Sequence, residues 1–403
     1  MSVITDQEKI HHVLTRGVEH VYPSKEFLEA RLKEGRPLKL YLGIDPTGPN
    51  LHMGHAIVLR KMREFQELGH QLILLIGDFT GMIGDPTDKS ATRVRLSREQ
   101  VLENAKNYQE QASKLIKLEG ENAAQVKYNS EWLGSMTFSD VVELASHFTV
   151  QQLLERDMFE KRMEEGHPIH LHEFLYPLMQ GYDSVAMDVD GEIGGNDQTF
   201  NMLAGRDLLK EMNGREKFVM TTKLLVDPTG KKMGKSEGNM ICLCDSADEM
   251  FGKVMSWTDG MIIPGFELCT LVSDEEVKNI AQELESGTNP REVKARLGRK
   301  VVEIYHGEEA AQEASDRFDQ LFKEHQSPDE MTTYPLSQAM NIVDLLVATG
   351  LASSKTEAKR LIDGKGIKAG DQVVESYEGM VTPSLEGVVL QKGKRYFVKV
   401  ILT

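Results

Sequence analysis

Cysteine is scarce in this chain, and the little there is builds no framework. Cys242, Cys244 and Cys269 are the only three among 403 residues. An odd number without zinc-ligand spacing argues against a disulfide scaffold or a structural metal, and it points to a reducing, cytoplasmic setting. Long apolar runs are also missing. None reaches membrane-spanning length, and the opening MSVITDQEKIHH has no signal-peptide apolar region, so no membrane partner is expected. There are no repeats or low-complexity tracts. Positive charge is in deficit: 47 Lys+Arg stand against 63 Asp+Glu, a net charge of −16. A uniformly acidic surface repels nucleic acid, so an RNA partner would require a local basic patch.

What the chain does have is an ordinary globular composition, 40% apolar and 27% charged. Its length suggests two to three domains with ample core. It is organised around YLGIDPTGPNLHMGH, Tyr41–His55. Leu38, Leu40, Leu42 and Ile44 alternate with Lys39, Tyr41 and Gly43, which predicts a strand. Asp45-Pro46-Thr47-Gly48-Pro49-Asn50 breaks it, because two prolines and a glycine forbid both helix and ladder. An amphipathic helix follows from about Met53 to Leu68. Strand, polar loop and helix N-terminus form a phosphate seat, where free backbone N–H groups and the helix dipole favour an anion. His52 and His55 can donate to phosphate oxygens, and Gly54 lets a nucleotide lie against the backbone. Read alone, they are equally two helix-start histidines and a packing glycine.

Residues 1–35 read as a helical lead-in. QLILLIG, from Gln71 to Gly77, is a continuous apolar run of the kind a central parallel strand shows, and it completes a right-handed βαβ unit. DFTGMIGDPTDKSATRVR forms the next loop. A long helix is predicted from Ser97 to Leu118, capped by Ser97. A short strand follows at Gln125–Asn129, then largely helical sequence from Glu143 to Glu165. The pattern next predicts a helix Glu173–Tyr182, a strand Ser184–Gly195 and a helix Thr199–Met212. KLLVDPTGKKMGKS, from Lys223 to Ser236, is a lysine-rich glycine loop. Residues 247–325 are mostly helical and charged, and HQSPDEMTTY reads as a linker.

From Pro335 a small α+β unit begins, electrically distinct from the rest. It carries 9 Lys+Arg against 7 Asp+Glu, a net +2, which leaves −18 for the remainder. Lys355, Lys359 and Arg360 share one predicted helix, while Lys365, Lys368, Lys392, Lys394 and Arg395 lie on turns. They are a candidate phosphate-contacting face, or else an ordinary solvated surface.

Two features could handle a nucleotide: Asp45, Thr47, His52, Gly54 and His55 at the first helix, and Lys232-Met233-Gly234-Lys235-Ser236 about 180 residues later. Two lysines across a glycine can close on a polyphosphate as point charges. Alone, such a loop is usually a solvated hairpin; the pair in this order on one α/β chain is far more specific. LHMGH and KMGKS resemble the HIGH and KMSKS motifs of class I aminoacyl-tRNA synthetases. YLGIDPTGPNLHMGH, IGDPTDKS, YPLMQGYD and GGNDQ narrow the resemblance to the bacterial tyrosyl-tRNA synthetase family. SSKTEAKRLIDG resembles its S-four-like RNA-binding module. The resemblance spans essentially the whole chain.

It implies a Rossmann-like α/β catalytic domain with a parallel sheet at 1–236, a helical anticodon-side domain at 237–325, a linker at 326–334 and the RNA-binding α+β domain at 335–403. It implies a homodimer that activates tyrosine with ATP and Mg2+ and charges tRNA(Tyr), with no structural metal. Tyr41 and Asp183 would meet the substrate hydroxyl. Asp85, Tyr176 and Gln180 would take its ammonium, Gln198 its carboxylate region, and Asn129 and Trp132 would support the pocket. Tyr176, Gln180 and Asp183 are spaced i, i+4, i+7, one helix face. Gly43, Asp45, Gly54, Gly195 and Asp197 would line the ATP site. Thr47, His52, Lys89, Arg93, Lys232 and Lys235 would act on the phosphates, His55 on the ribose side, and Lys355, Lys359, Arg360, Lys365 and Lys368 on RNA. The chain departs from the usual motif at Gly234, where relatives carry serine. YPLMQGYD and GGNDQ are also close to tryptophanyl relatives, so a tryptophan–tRNA ligase is one alternative. A catalytically silent RNA-binding paralogue is the other.

Overall fold

A computed structural model describes residues 3–85, 96–227, 240–323, 332–370, 372–382, 384, 387–393 and 396–402, with the side chains of 157 and 321–323 left aside. Lys89, Arg93, Lys232, Gly234, Lys235, Lys394 and Arg395 lie outside them. The chain divides into two compact units, Met1–Ala311 and Gln312–Thr403.

The first unit is built on six strands: β1 Val18–Tyr22, β2 Lys39–Ile44, β3 Gln71–Ile76, β4 Gln125–Tyr128, β5 Gly191–Gly195 and β6 Phe218–Thr222. Their order is β1-β6-β5-β2-β3-β4. All neighbours run parallel except β1, which pairs antiparallel with β6. β1 falls inside the predicted helical lead-in. Gly17, at φ 63°, ends the helical stretch after Gln7–Val13, because a left-handed residue cannot continue a right-handed helix.

β2 and β3 behave as their sequences demand. Leu72 to Ile76 are buried on both faces of the sheet, as a continuous apolar run between two strands must be. β2 is also buried on both faces, since Leu40, Tyr41 and Leu42 are all inaccessible and only Gly43 opens to solvent. The alternation read in β2 therefore marks a polar inward face rather than a wet one. The helix Met53–Glu67 packs Ala56, Leu59, Met62 and Phe65 inward.

Two predicted boundaries shift. The helix expected to stop at Tyr182 runs Leu171–Met187 and ends on Asp188 in the left-handed conformation; only Gly191–Gly195 of the predicted strand is extended. Its partner is the helix Thr199–Asn213. A Cβ on Gly181 would meet the Gly205 backbone at 3.4 Å, so paired glycines let the two helices approach closely, and that packing carries the helix past the apolar alternation that resembled a strand. The sequence from Glu143 to Glu165 is broken into Phe138–Ser146, Val150–Leu154 and Asp157–Glu164. Thr149 caps the second of these with its side chain. Beyond residue 240, Ala247–Met255, Ile262–Cys269, Asp274–Glu285 and Pro290–His306 form a helical cluster around Met250, Phe251, Val254, Leu297 and Val301.

In the second unit, β7 Thr332–Leu336 starts within the segment read as a linker and pairs parallel with β10 Tyr396–Leu402. β9 Val388–Lys392 pairs antiparallel with β10 and with β8 Ile367–Ala369. The helices Ile342–Ala348 and Lys355–Asp363 contribute Leu345, Leu346, Ala358 and Ile362 to a core shared with Leu390 and Val400.

Candidate active site

At the start of the Met53–Glu67 helix, His52 and His55 cap each other's turn. The Gly54 N–H donates to His52 Nδ1 and the His52 N–H to His55 Nδ1, each at 3.1 Å. The Met53 N–H donates to the Ile241 carbonyl at 2.9 Å. Three backbone donors expected to be free for an anion are thus occupied. An anion seated here would meet the imidazoles rather than these N–H groups. An Nδ1 that accepts leaves the proton of a neutral ring on Nε2, so both rings present Nε2–H as a donor. The rings stand 3.9 Å apart, and Gly54 is what admits them, because a Cβ there would lie 2.9 Å from His52 Cε1. The preceding loop is pinned by the helix Arg98–Ala112: Gln111 Oε1 accepts from the Leu51 N–H at 2.8 Å and Asn104 Nδ2 donates to the Pro46 carbonyl at 3.0 Å. The chain that leaves the lysine loop returns here, since the Leu243 N–H donates to the Leu51 carbonyl at 3.0 Å.

At the other end of the same strand-and-loop segment, polar side chains converge inside the core. Asp45 accepts from Thr80 Oγ1 at 2.7 Å and from the Tyr176 hydroxyl at 2.8 Å. Asn129 Nδ2 donates to Thr80 Oγ1 at 2.9 Å and reaches Asp183 Oδ2 at 3.5 Å, while Trp132 Nε1 donates to Asp183 Oδ1 at 2.7 Å. Asp183 is 3% exposed. Burial pushes its carboxyl well above the ordinary range against these two donors. Burial likewise raises the phenols of Tyr41 and Tyr176. Gly77 makes the Asp45 position possible, because a Cβ there would fall 2.0 Å from Asp45 Oδ1.

Tyr41 is fully buried; its hydroxyl lies 2.9 Å from Ser184 Oγ, not on Asp183. Strand register sets Tyr41 opposite Glu192 and Glu192 opposite Val219, so these side chains and that of Lys217 share one face. Lys217 is wholly inaccessible and ion-paired to Glu192. Gln180 Nε2 donates to the other oxygen of Glu192 at 3.2 Å. Asp85 accepts from Gln198 Nε2 at 2.9 Å and pairs with buried Arg156 at 3.4 Å; Asn201 donates to Gln198 Oε1 at 3.0 Å. The charges of Asp45 and Asp85 both act on Tyr176, so these groups border one space.

The i, i+4, i+7 stripe therefore does face inward. Thr80, Ser184, Glu192, Lys217, Arg156 and Asn201 were not anticipated. An acid within GEIGG and a lysine one residue before a buried strand were the available signals. Thr47 is half-buried, and Asp197 is exposed beside Gly195. In the second unit Lys355, Lys359, Arg360, Lys365 and Lys368 are all exposed. Lys355 pairs with Asp344 at 2.6 Å and Lys365 with Glu375 at 3.1 Å, while Lys359 lies over the Tyr377 ring at 5.6 Å.

Residues 33–323 match the family model of class I tRNA synthetases (W and Y), and residues 322–400 match the tyrosine–tRNA ligase SYY-like C-terminal domain. The tyrosine–tRNA ligase of Thermotoga maritima is 45% identical over 399 residues, 98% of each chain. The chain belongs to the bacterial tyrosyl-tRNA synthetase family. The Haemophilus influenzae tyrosine–tRNA ligase is 42% identical, covering 99% of this chain and 98% of its own. Among solved structures, a C-terminally truncated mitochondrial tyrosyl-tRNA synthetase of Aspergillus nidulans aligns with a TM-score of 0.66 at 22% identity, over 79% of this chain and 95% of that one. At that identity the match speaks for the fold. It agrees with the α/β class I architecture expected from the motifs, as the family match agrees with a tyrosine rather than a tryptophan ligase.

Proposed function

We infer that this protein is a tyrosine–tRNA ligase: it activates tyrosine with ATP to tyrosyl-adenylate and transfers the tyrosyl group to the 3′ end of tRNA(Tyr). The observation that carries the reading is the buried carboxylate of Asp183, which takes one protein donor on each oxygen and so retains lone pairs for a phenolic O–H. With Tyr41 near it, the site can both accept from and donate to one oxygen. A phenol uses both; an indole N–H only donates; a phenyl ring uses neither and leaves buried polar groups unpaired. A tyrosyl-tRNA synthetase is the standard example of that discrimination rule.

The substrate ammonium enters beside the carboxylates of Asp45 and Asp85, with Tyr176 and Gln180 completing its shell, and Gln198 lies toward its carboxylate. That carboxylate attacks the α-phosphorus of ATP. One O–P bond forms, the bond to the β-phosphate oxygen breaks, and pyrophosphate leaves. The substrate supplies the nucleophile, so the protein contributes positioning and charge stabilisation. Nε2–H of His52 and His55, with Thr47, acts on the phosphates. Gly43, Gly54 and Gly195 leave room for ATP against the backbone, and Asp197 takes a ribose hydroxyl. Lys89, Arg93, Lys232 and Lys235 are further cations for the pyrophosphate in this reading. Magnesium enters as part of the ATP complex.

The second unit contributes the tRNA contacts through Lys355, Lys359, Arg360, Lys365 and Lys368. Exposed ion pairs such as those of Lys355 and Lys365 are weak enough to yield to phosphates. A homodimer fits the apolar side chains left in water at 138–171: Phe138 is 84% exposed, Leu171 78%, Val150 61% and Val142 54%. Three free cysteines fit a cytoplasmic setting.

Pyrophosphate exchange driven separately by tyrosine and tryptophan tests the assignment. Tyrosine should drive exchange without tRNA. Exchange with tryptophan alone would reverse the substrate, and tRNA binding with no exchange at all would leave only the silent paralogue.

A further inference from the structure

On the footing of the tyrosine reading, we propose that Lys217, held by Glu192, acts through Ser184 to orient the Tyr41 hydroxyl as a hydrogen-bond donor, making the buried trio a positioning device for phenol recognition. The case rests on accounting for protons. Lys217 Nζ lies 2.5 Å from Ser184 Oγ and is ion-paired to Glu192. An ammonium beside a carboxylate can only donate, so Ser184 accepts from it. Ser184 has a single proton of its own. Among the described residues, the only other polar group at its oxygen is the Tyr41 hydroxyl, at 2.9 Å. Ser184 therefore donates to Tyr41, and Tyr41 must give its proton elsewhere. In the structure the Glu192 carboxylate is the acceptor at hand, with the charge of Asp183 also acting on the hydroxyl; with a phenol bound, the phenol oxygen takes that proton. Polarity runs Lys217 to Ser184 to Tyr41 to substrate, and the substrate's own proton is left for Asp183.

The arrangement is expensive to build, which argues against its being incidental filling. Lys217 has no exposed surface and Glu192 is 2% exposed, and desolvating two charges costs more than packing apolar side chains in the same space. The fold makes specific room for it. A Cβ on Gly205 would lie 2.9 Å from both Lys217 Nζ and Ser184 Oγ. Glu192 is also where the device meets the ammonium end, since its second oxygen holds Gln180 Nε2 at 3.2 Å. Lys217 touches no reacting atom, so its role is positioning.

Ser184→Ala is the decisive variant, because it removes the middle link and leaves the Lys217–Glu192 pair intact. Tyrosine- and phenylalanine-dependent pyrophosphate exchange are measured on the parent, Ser184→Ala, Tyr41→Phe and the double variant. Losing one oriented hydrogen bond should cut the tyrosine-over-phenylalanine ratio of kcat/KM by about fivefold, through the KM for tyrosine, with phenylalanine unchanged. In the Tyr41→Phe background the same substitution should have no further effect on that ratio. Lys217→Met, if it folds, should reproduce the loss. A folded Ser184→Ala with an unaltered ratio would overturn the proposal, as would an equal loss in the Tyr41→Phe background. A parent protein without tyrosine-dependent exchange would overturn the tyrosine reading, and this proposal with it.

Discussion

Replacing Asp183 with asparagine should separate recognition of the phenol from everything else the protein does. Asp183 accepts from Trp132 Nε1 at 2.7 Å and from Asn129 Nδ2 at 3.5 Å and is almost wholly buried. Asparagine is nearly isosteric but has one acceptor and one donor end. If its oxygen stays on the Trp132 side, the NH2 points at the substrate and meets a phenol oxygen that already accepts from Tyr41. If its oxygen turns to the substrate, the NH2 faces the indole N–H, donor against donor. Neither orientation satisfies both partners. Hydrogen bonds to charged groups contribute about 1.5–3 kcal/mol, so kcat/KM for tyrosine should fall by roughly 10- to 150-fold. Phenylalanine, which never used the carboxylate, should change little. The assay is pyrophosphate exchange with each amino acid, with a thermal melt to establish folding. Because burial raises the Asp183 carboxyl, the parent should lose tyrosine activation on acidification earlier than an ordinary carboxylate would impose, and that acid limb should vanish in Asp183→Asn. A folded variant that keeps the tyrosine-over-phenylalanine ratio within about twofold of the parent would refute the reasoning.

Gly77→Ala should displace the Asp45 carboxylate and destabilise the fold by about 1–3 kcal/mol through overpacking, read as a lower melting temperature together with a higher KM for tyrosine. His70 is buried, its Nδ1 accepting from the Leu38 N–H at 3.2 Å, and burial lowers its pKa from 6.5 to about 4 against the opposing charge of Asp190. The unfolded chain thus binds a proton that the folded one refuses. Stability should be fully present above pH 6.5 and fall toward pH 4, by up to roughly 3 kcal/mol; chemical denaturation across that range should show a flatter slope for His70→Gln. Lys359→Glu combined with Arg360→Glu should weaken tRNA charging about tenfold and reduce its salt dependence while leaving pyrophosphate exchange intact. Phe138→Asp with Leu171→Asp should convert a dimer to a monomer in sedimentation, and an unchanged mass would remove the apolar patch from consideration.

Local patterns carried a large part of this molecule. Tyr176, Gln180 and Asp183 are legible as one helix face because helical spacing is a property of the chain alone, and the Leu171–Met187 helix does turn them inward. QLILLI is legible as a central parallel strand because an apolar run of that length has nowhere else to go. The motif segments LHMGH and GGNDQ lie where strands end and helices begin, and that much followed from the prolines and glycines around them. Where the reading slipped, distant packing was responsible. The apolar alternation from Ser184 onward suggested a strand, yet contact between Gly181 and Gly205 keeps the helix going to Met187. β1 does not read as a strand locally because its partner, β6, lies about 200 residues away.

The sequence by itself determined the LHMGH and KMGKS motifs, the inward polar stripe and, through its resemblance, the family. Only the tertiary structure decided how those groups are wired. The backbone donors at the helix start are taken up by the rings of His52 and His55 and by the Ile241 carbonyl, so under the proposed function the phosphates would meet Nε2 of the rings. The Tyr41 hydroxyl rests on Ser184, with Lys217 and Glu192 behind it. The reason is register and burial. A charged residue in a sequence reads as a solvent-facing one, and what brings Glu192 opposite Tyr41 and Lys217 onto the same face is pairing between strands far apart in the chain, which no local spacing records.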